Sequence, residues 1–572
     1  MSFALTCRRA SETVLDLLWY RLLDLVPLLY TLPQDLVTLL PPAAADPDCE
    51  CVYDCAITSR RYFTILRAPR PEDFQRFSMY ARRIKHFTIC GYRTRSDQTY
   101  VITRDIWDFL QLHAPKPLLP SLKGLSYTEP KSEEDLLVDR VTPPPVLLRS
   151  CEVEEHLQTC DLSLAPFLGP QLKHAFIRMS SQGIRTQASI RTLASLAQEL
   201  NSLTLGSAWP RTLEGSELAA FVNLSSLSFT YSLDISPNAL CCLGTLPQLK
   251  ELCMKTCESI LSEDWRWDQM LLGRPSGLFP TLERLEVTAR ELEWSIPFMR
   301  TIASPSLYSI TLKHGRGPRS YTLVEELCEA IVDLPSRDKV TYLSLTTPSA
   351  HELDHNFLEP STVAPLLRLT RLRYLRFEAK LKVIVDDALL DKMSRAWPHL
   401  RTLLLVWPKG STSFMDSWDY SGDWYYPPPH DDPETPQASL PGLIPLIVRC
   451  PHLTELALAI DTRRRSRRLQ DILDCPPPEL RARRSRLRTL TLEGSVLGSR
   501  SSLFTVALFF STLLPCLRVM NSGVPKGWWH RIVAHISDIN QIRAEEVRWK
   551  ARARRRVAAE PEEESSDSSS EE

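Results

Sequence analysis

The sequence predicts an α/β solenoid, a horseshoe of stacked repeats in which each repeat contributes a strand and usually a helix. The first observation is composition: about 90 of the 572 residues are leucine. Leucine is normally the commonest residue, at nearer a tenth of a chain. The second observation is a six-residue pattern, L-x-x-L-x-L with apolar substitutes, that recurs along the chain. The third is a set of helix-like segments between the copies, and together they favour one repeat architecture over several unrelated domains.

The recurring pattern places the strands. Clear copies begin at Leu200, Leu224, Leu249, Leu282, Leu307, Val340, Leu372, Leu400, Leu453 and Leu487, with weaker copies at Ile84, Leu122, Leu172 and Leu517. The L-x-L core of each copy predicts a short strand with both apolar side chains facing inward. Segments such as 364–369 and 443–450 are typical of intervening helices.

The spacing of the copies defines the class of solenoid. Neighbouring clear copies lie 24 to 53 residues apart, whereas a strict leucine-rich repeat runs 20–29 residues. We therefore expect an irregular leucine-rich repeat solenoid, with parallel strands on the concave face and helices on the convex face.

Residues between the leucines are expected to face outward on the concave side, because side chains alternate along a strand. Tyrosine and arginine are the residue types that most often anchor protein–protein interfaces. The predicted target-binding residues are Arg284, Glu286, Tyr342, Tyr374, Arg376 and Glu455. The alternative is a solvated sheet face that binds nothing in particular.

Charge and cysteine content narrow the functional class. Hydrophobic residues make up 43% of the chain, charged residues 24%, and the net charge is −1. This composition is typical of a globular protein, and a net charge near zero does not indicate nucleic-acid binding. Fifteen scattered cysteines suit a reducing compartment, so we expect an intracellular protein, cytoplasmic or nuclear.

No membrane, zinc-finger or secretion signal is expected. The apolar stretch at 13–32 contains Asp16, Arg21 and Asp24, which are too costly for a bilayer core, so it predicts an amphipathic helix. Three clustered cysteines at 49–55 have no second Cys or His pair at zinc-finger spacing. The first residues do not form a signal peptide.

One enzyme-like motif occurs. Residues 351–355 match H-E-x-x-H, in which His351 and His355 would bind zinc on a helix and Glu352 would act as a base. The segment follows a predicted strand and ends at Pro360, so a short exposed connector is the expected structure. Glycine-rich phosphate loops and nucleophile elbows do not occur. We expect no enzyme, no cofactor and no metal, with a zinc-dependent hydrolase as a remote alternative.

The first residues carry a family resemblance. Residues 3–22 resemble the C-terminal half of an F-box, with Leu5 and Cys7 matching its first block and Leu18 and Trp19 its second. Together with the irregular repeats, the chain resembles fungal F-box and leucine-rich repeat proteins. The resemblance implies a substrate receptor of an SCF-type ubiquitin ligase, in which those four residues contact a Skp-type adaptor joined to a cullin. The concave face would hold a target protein.

The F-box resemblance is incomplete, because the Leu-Pro-x-Glu-Ile-like helix that opens an F-box does not precede residue 3. Either the true start lies upstream, or this is a degenerate paralogue whose adaptor docking is weak or lost. An alternative is a leucine-rich repeat scaffold with no ubiquitin-ligase link. Its N-terminal helix would then serve as a cap over the apolar end of the solenoid.

Three regions are therefore expected along the chain. Residues 1–33 form the truncated F-box-like helical segment, and residues 34–540 form the solenoid, with its irregular copies at 84–520. Residues 541–572 form a basic helix and a disordered acidic, Ser-rich tail, since such a tail cannot bury enough surface to fold.

Two insertions interrupt the solenoid. Residues 408–440, rich in aromatic residues and proline, explain the longest spacing and predict either a binding loop or a loosely ordered insertion. Residues 462–488 are rich in arginine, which is typical of a solvated loop, an acidic-partner site or a nuclear signal.

Overall fold

In the computed structural model, the chain forms two compact units. The first comprises Met1–Arg290, Pro297–Leu307 and Leu334–Ser336, and the second comprises Glu291–Ile296, Tyr308–Asp333 and Arg337–Glu572. The residues that the structure describes are 8–40, 61–90, 100–102, 104–128, 167–179, 183–213, 215–255, 277–289, 291–315, 321–347, 357–379, 382–406, 435–464, 469, 471–473, 485–492, 495–496, 502–514, 516–521 and 528–557.

The strands are short, and most coincide with a copy of the leucine pattern. They are β1 (Arg21–Leu22), β2 (Val37–Leu40), β3 (Arg61–Ile65), β4 (His86–Cys90), β5 (Tyr100–Val101), β6 (Gly124–Thr128), β7 (His174–Met179), β8 (Ser202–Leu213), β9 (Ser226–Ile235), β10 (Glu251–Lys255), β11 (Arg284–Ala289), β12 (Ser309–His314), β13 (Tyr342–Thr347), β14 (Phe357–Leu358), β15 (Tyr374–Ala379), β16 (Lys382–Val383), β17 (Thr402–Val406), β18 (Glu455–Ala457), β19 (Thr489–Thr491) and β20 (Val519–Asn521).

Helices occupy many of the connections between strands. They are α1 (Arg8–Trp19), α2 (Val26–Leu29), α3 (Gln75–Ala81), α4 (Arg104–His113), α5 (Gly183–Leu196), α6 (Pro237–Gly244), α7 (Leu292–Thr301), α8 (Tyr321–Val332), α9 (Pro360–Val363), α10 (Asp387–Ala396), α11 (Ile444–Arg449), α12 (Ser502–Leu513) and α13 (Trp528–Val557). Short 3-10 helices occupy Pro71–Phe74, Gly215–Ala220, Arg337–Lys339, Ala364–Arg368 and Pro441–Leu443.

Each unit contains a ladder of parallel strands. In the first unit the strand order is β1, β4, β6, β7, β8, β9, β10 and β11, and in the second it is β12, β13, β15, β17, β18, β19 and β20. Every clear and every weak copy of the leucine pattern is followed, two residues after its start, by one of these strands. The predicted α/β repeat solenoid is therefore confirmed.

The register keeps equivalent positions of successive repeats side by side. Leu343 on β13 lies opposite Ile310 on β12 and Leu375 on β15. All three side chains are buried, and the leucine-type positions of the neighbouring strands are buried likewise. The core of each unit is thus the stack of inward leucine-type side chains between the sheet and the connecting helices.

Local sequence signals start the connecting helices. Ser236 and Asp386 cap α6 and α10: the Ser236 hydroxyl accepts from the backbone of Ala239 at 3.1 Å, and the Asp386 carboxylate accepts from Leu389 at 2.7 Å. Such caps satisfy amide donors that a helix leaves unpaired at its start. The segment predicted as a helix at 364–369 is instead a 3-10 helix, which is a common form for connections this short.

Two small sheets lie outside the leucine pattern. In the first unit β2 pairs antiparallel with β3, which pairs parallel with β5. In the second unit β14 pairs parallel with β16. None of their strands belongs to a complete L-x-x-L-x-L copy, so the sequence pattern does not predict them.

A buried histidine lies at the end of β12. His314 is only 6% exposed, and its Nε2 lies 2.9 Å from the Ser295 hydroxyl on α7. Burial lowers the pKa of His314 to about 4, against a weaker opposing effect of a backbone hydrogen bond at Thr346. The folded protein therefore holds this imidazole neutral at pH values where the unfolded chain would protonate it.

We predict that replacing an inward leucine destabilises the fold and that replacing an outward neighbour does not. Leu375→Ala removes a buried side chain on β15 and should cost about 2–5 kcal/mol of unfolding free energy, because a cavity forms. Arg371→Ala, at an exposed position just before that strand, should change stability by less than about 0.5 kcal/mol. Equal thermal midpoints for the two variants in calorimetry would contradict the assigned register.

We predict that His314 makes the protein less stable in acid. Between pH 6.5 and about pH 4 the unfolded chain binds a proton that the folded chain does not, so unfolding free energy falls as pH falls through that window. The slope from this one group approaches about 1.4 kcal/mol per pH unit. Denaturant midpoints at pH 7 and pH 5 should differ more for the wild type than for His314→Gln. An identical difference in both proteins would argue against the neutral buried imidazole.

Candidate protein-interaction surface

Two of the predicted target-binding residues form a stacked pair. Tyr342 begins β13 and Tyr374 begins β15, and the two residues lie directly opposite each other in the parallel ladder. Their rings are nearly coplanar, with centroids 4.2 Å apart and an interplanar angle of 7°. Because both side chains point away from the buried leucines, the stack lies on the outward face of the sheet.

An arginine and a glutamate extend this stack along β15. Arg376 follows Tyr374 by two residues and therefore shares its face. Its Nε donates to the Glu378 carboxylate at 3.0 Å, and its Nη2 donates to the same oxygen. Tyr342, Tyr374, Arg376 and Glu378 together are here named the aromatic–arginine cluster.

The side chains of the aromatic–arginine cluster are partly buried and held by their neighbours. All four side chains are half-buried. Partial burial, and then the neighbouring Tyr342, raise the pKa of Tyr374, so its phenol stays neutral and able to donate a hydrogen bond at physiological pH. Side chains already held by stacking and ion pairing lose less entropy when a partner binds. The cluster thus combines two rigid aromatic surfaces with a positioned guanidinium, the chemistry of an interface anchor.

The other predicted target-binding residues take separate positions. Glu455 is half-buried on β18, in the same register row as Tyr374 but with Thr402 of β17 between them. Arg284 and Glu286 lie on β11 of the first unit, where Arg284 is exposed and Glu286 is half-buried. Glu378 is the fourth member of the cluster. Its position two residues after Arg376 places it on the same face of β15, which the sequence alone indicates.

The predicted adaptor-binding residues have different environments in the structure. Leu18 on α1 is 56% exposed. Trp19 instead stacks on Tyr80 of α3, with centroids 4.6 Å apart and an interplanar angle of 27°. Leu5 and Cys7 lie outside the described residues. Trp19 therefore fixes α1 to the first unit, while Leu18 is exposed to solvent.

Ion pairs also hold α1 in place. Glu12 and Asp16 of α1 both pair with Arg83, which follows α3. The helix then presents exposed apolar residues beside its fixed face: Leu17 is 72% exposed, and Leu23 beyond the helix is 62% exposed. Leu17, Leu18 and Leu23 are here named the N-terminal apolar patch.

Part of the arginine-rich segment has a structural role. Asp461 is fully buried and accepts hydrogen bonds from the backbone and the Nε of Arg463, both at 2.9 Å. Arg464 lies 3.7 Å from the same carboxylate. A buried carboxylate needs such compensation, so the first arginines of the 462–488 segment neutralise a charge inside the second unit.

The C-terminal end of the 408–440 insertion is held by hydrogen bonds to Asp387. The Asp387 carboxylate accepts from the backbone amide and from the hydroxyl of Ser439, both at 2.7 Å. The aromatic residues of that insertion, the cysteines at 49–55 and the H-E-x-x-H match at 351–355 lie outside the described residues. Within the described residues, no group of three or more His, Cys, Asp or Glu side chains is arranged to hold a metal ion.

None of the described helices combines the length and the apolar character that crossing a bilayer requires.

Comparisons with known proteins give low similarity. No protein-family model matches the chain, and no curated protein matches it. Among solved structures, the chain is similar to one in the crystal structure of the yeast Rad7 and Elc1 complex, with 15% identity, a TM-score of 0.29, and coverage of 59% of this chain and 80% of that one. It is also similar to a chain of the Drosophila Toll–Spatzle complex, with 11% identity, a TM-score of 0.32, and coverage of 80% of this chain and 42% of that one. The fold assignment rests on the strand register itself.

Proposed function

We propose that this chain is a non-enzymatic protein-recognition module that holds a target protein on the outward face of its repeat sheet. The aromatic–arginine cluster is the observation that carries the proposal. Tyrosine and arginine dominate binding energy at protein interfaces because they combine large contact area with hydrogen bonding. The Tyr342–Tyr374 pair also stabilises the sheet, and the guanidinium held beside it adds the hydrogen-bonding group that an interface anchor uses.

We further propose that the module is a substrate receptor of an SCF-type ubiquitin ligase. The F-box resemblance of residues 3–22 and the exposure of the N-terminal apolar patch support this role. Leu18 and its apolar neighbours would contact a Skp-type adaptor. The adaptor would link the chain to the cullin of the ubiquitin ligase, which carries out the ubiquitin transfer. Such a receptor works inside the cell, in the cytoplasm or the nucleus.

A repeat scaffold with no ligase link is the second candidate. The packing of Trp19 on Tyr80 favours it, because that contact makes α1 a cap fixed to the first unit. A cap covers the apolar end of a repeat stack without any partner. The two candidates share the target-binding face and differ only in what the N-terminal apolar patch contacts.

We predict that the aromatic–arginine cluster determines target capture. The variant Tyr342→Ala with Arg376→Ala should lose its specific partner from extracts of the source organism, because truncating two anchor residues weakens a complex by about 2 kcal/mol or more each. The control is Glu326→Ala with Glu329→Ala, at exposed positions of α8. Quantitative mass spectrometry of the captured proteins makes the comparison. If both variants retain the same partners as the wild type, the cluster is not the binding site.

We predict that the N-terminal apolar patch binds the adaptor. The purified chain should bind a purified Skp-type adaptor of the same organism in biolayer interferometry, and Leu17→Asp with Leu18→Asp should abolish binding by placing charge in an apolar contact. Val222→Asp, at another exposed apolar residue of the first unit, should bind normally. A wild-type chain that binds no adaptor would remove the ligase link and leave the scaffold.

A further inference from the structure

Lysines stand directly before three successive strands of the first unit. Lys85, Lys123 and Lys173 precede β4, β6 and β7. The backbone amide of Lys123 donates to the carbonyl of Lys85 at 2.7 Å, and that of Lys173 donates to Lys123 at 2.9 Å. The amides of Gly124 and His174 donate to the same two carbonyls at 3.0 Å, so the regular alternation of the strand begins only after each lysine. The lysines therefore lie at the edge of the ladder, one strand spacing apart, about 4.8 Å.

The next position along the same strands carries further basic side chains, an arginine and two histidines. Arg21, His86, Gly124 and His174 follow one another in register on β1, β4, β6 and β7. A Cβ at Gly124 would come within 2.5 Å of the His86 Nδ1, so a larger residue there would displace the ring. The glycine leaves space for the His86 ring, whose Nε2 lies 3.3 Å from the Tyr20 hydroxyl.

These two rows form one basic surface, here named the basic edge: Arg21, Lys85, His86, Lys123, Lys173 and His174. Within the described part of the chain, none of its side chains forms an ion pair with a carboxylate. Lys250, which holds the same position before β10, differs because its Nζ lies 3.0 Å from the Glu283 carboxylate.

The electrostatic effect is visible at His86. Burial lowers the pKa of His86, and its neighbours His174, Arg21 and Lys123 lower it further. The positive charge of the basic edge near pH 7 is therefore that of Arg21 and the three lysines. Like charges held side by side in a sheet destabilise it. An external anion at the basic edge would remove this repulsion, so the surface favours a negatively charged partner.

We propose that the basic edge binds an acidic segment of the target protein in extended conformation. This inference rests on the proposed protein-recognition function and assigns a partner chemistry to the first unit. The surface spans four strands, about 15 Å at the usual strand spacing, which matches four or five residues of extended peptide. Carboxylates on alternate residues of such a peptide would face the lysine row.

The extent of the basic edge favours a peptide over a nucleic acid. At the lysine position the next two strands carry Asn201 and Ser225, and the adjoining row reaches the exposed Glu251. A phosphate backbone running further along the sheet would therefore meet neutral and then negative residues, whereas nucleic-acid sites present extended positive surfaces.

The second unit carries a related but different row. Arg373, Arg401 and Arg488 precede β15, β17 and β19. There the adjoining row holds Tyr374, Thr402 and Glu455, so it includes one negative residue. The row of arginines therefore provides a comparison at the same position of the repeat.

The test uses a fluorescein-labelled peptide with six consecutive glutamates and measures its anisotropy with the full chain. Lys85→Gln, Lys123→Gln and Lys173→Gln together should weaken binding about tenfold, as expected when three exposed charge pairs are lost. Lys255→Gln, Lys339→Gln and Lys392→Gln together make the same charge change at scattered exposed positions, and should weaken binding less than about twofold. Circular dichroism melts of both variants should show midpoints no lower than that of the wild type.

Three results would overturn the proposal. The first is equal peptide binding by the lysine-row variant and the scattered control. The second is loss of the peptide on Arg373→Gln, Arg401→Gln and Arg488→Gln but not on the lysine-row changes. The third is tighter binding of a labelled 20-nucleotide single-stranded DNA than of the peptide at the same salt concentration, which would make a nucleic acid the occupant. Because the peptide probe involves neither Tyr342 nor the adaptor, its failure is distinguishable from failure of the proposed function.

Discussion

The in-register parallel ladder is the constraint on which the rest of the structure depends. One strand and one short helix cannot bury a leucine face alone, so each repeat is stable only against its neighbours. Leu343, for example, is covered on its two sides by Ile310 and Leu375. A slip of one residue would turn these side chains outward, so the apolar pattern also fixes which residues face solvent.

The same register produces both surfaces that we propose to bind partners. A residue type that recurs at one position of successive repeats becomes a continuous row, because neighbouring strands lie about 4.8 Å apart. Tyrosine at the first position of β13 and β15 gives the stack of Tyr342 on Tyr374. Lysine before β4, β6 and β7 gives the basic edge. Both surfaces are consequences of the repeat that buries the core.

The sequence predicts the strands well because the period of two and the leucine spacing are local signals. Tyr342, Tyr374 and Arg376 were placed on the outward face for the same reason. Trp19 stacks on Tyr80, a partner 61 residues away that no local pattern identifies. The contact of His314 with Ser295 depends likewise on packing between a strand and a helix. The lysine row was visible in principle, since a lysine directly precedes the strand in three successive copies.

Position-specific photo-crosslinking can show whether partner proteins contact the outward face of the repeat sheet. A photoreactive amino acid placed at position 342 on β13 should give a discrete crosslinked partner in cells of the source organism. The same amino acid at position 326, exposed on α8, should not crosslink that protein. Crosslinking of the same partner from position 326 alone, or equally from both positions, would contradict the assignment of the outward face as the recognition surface.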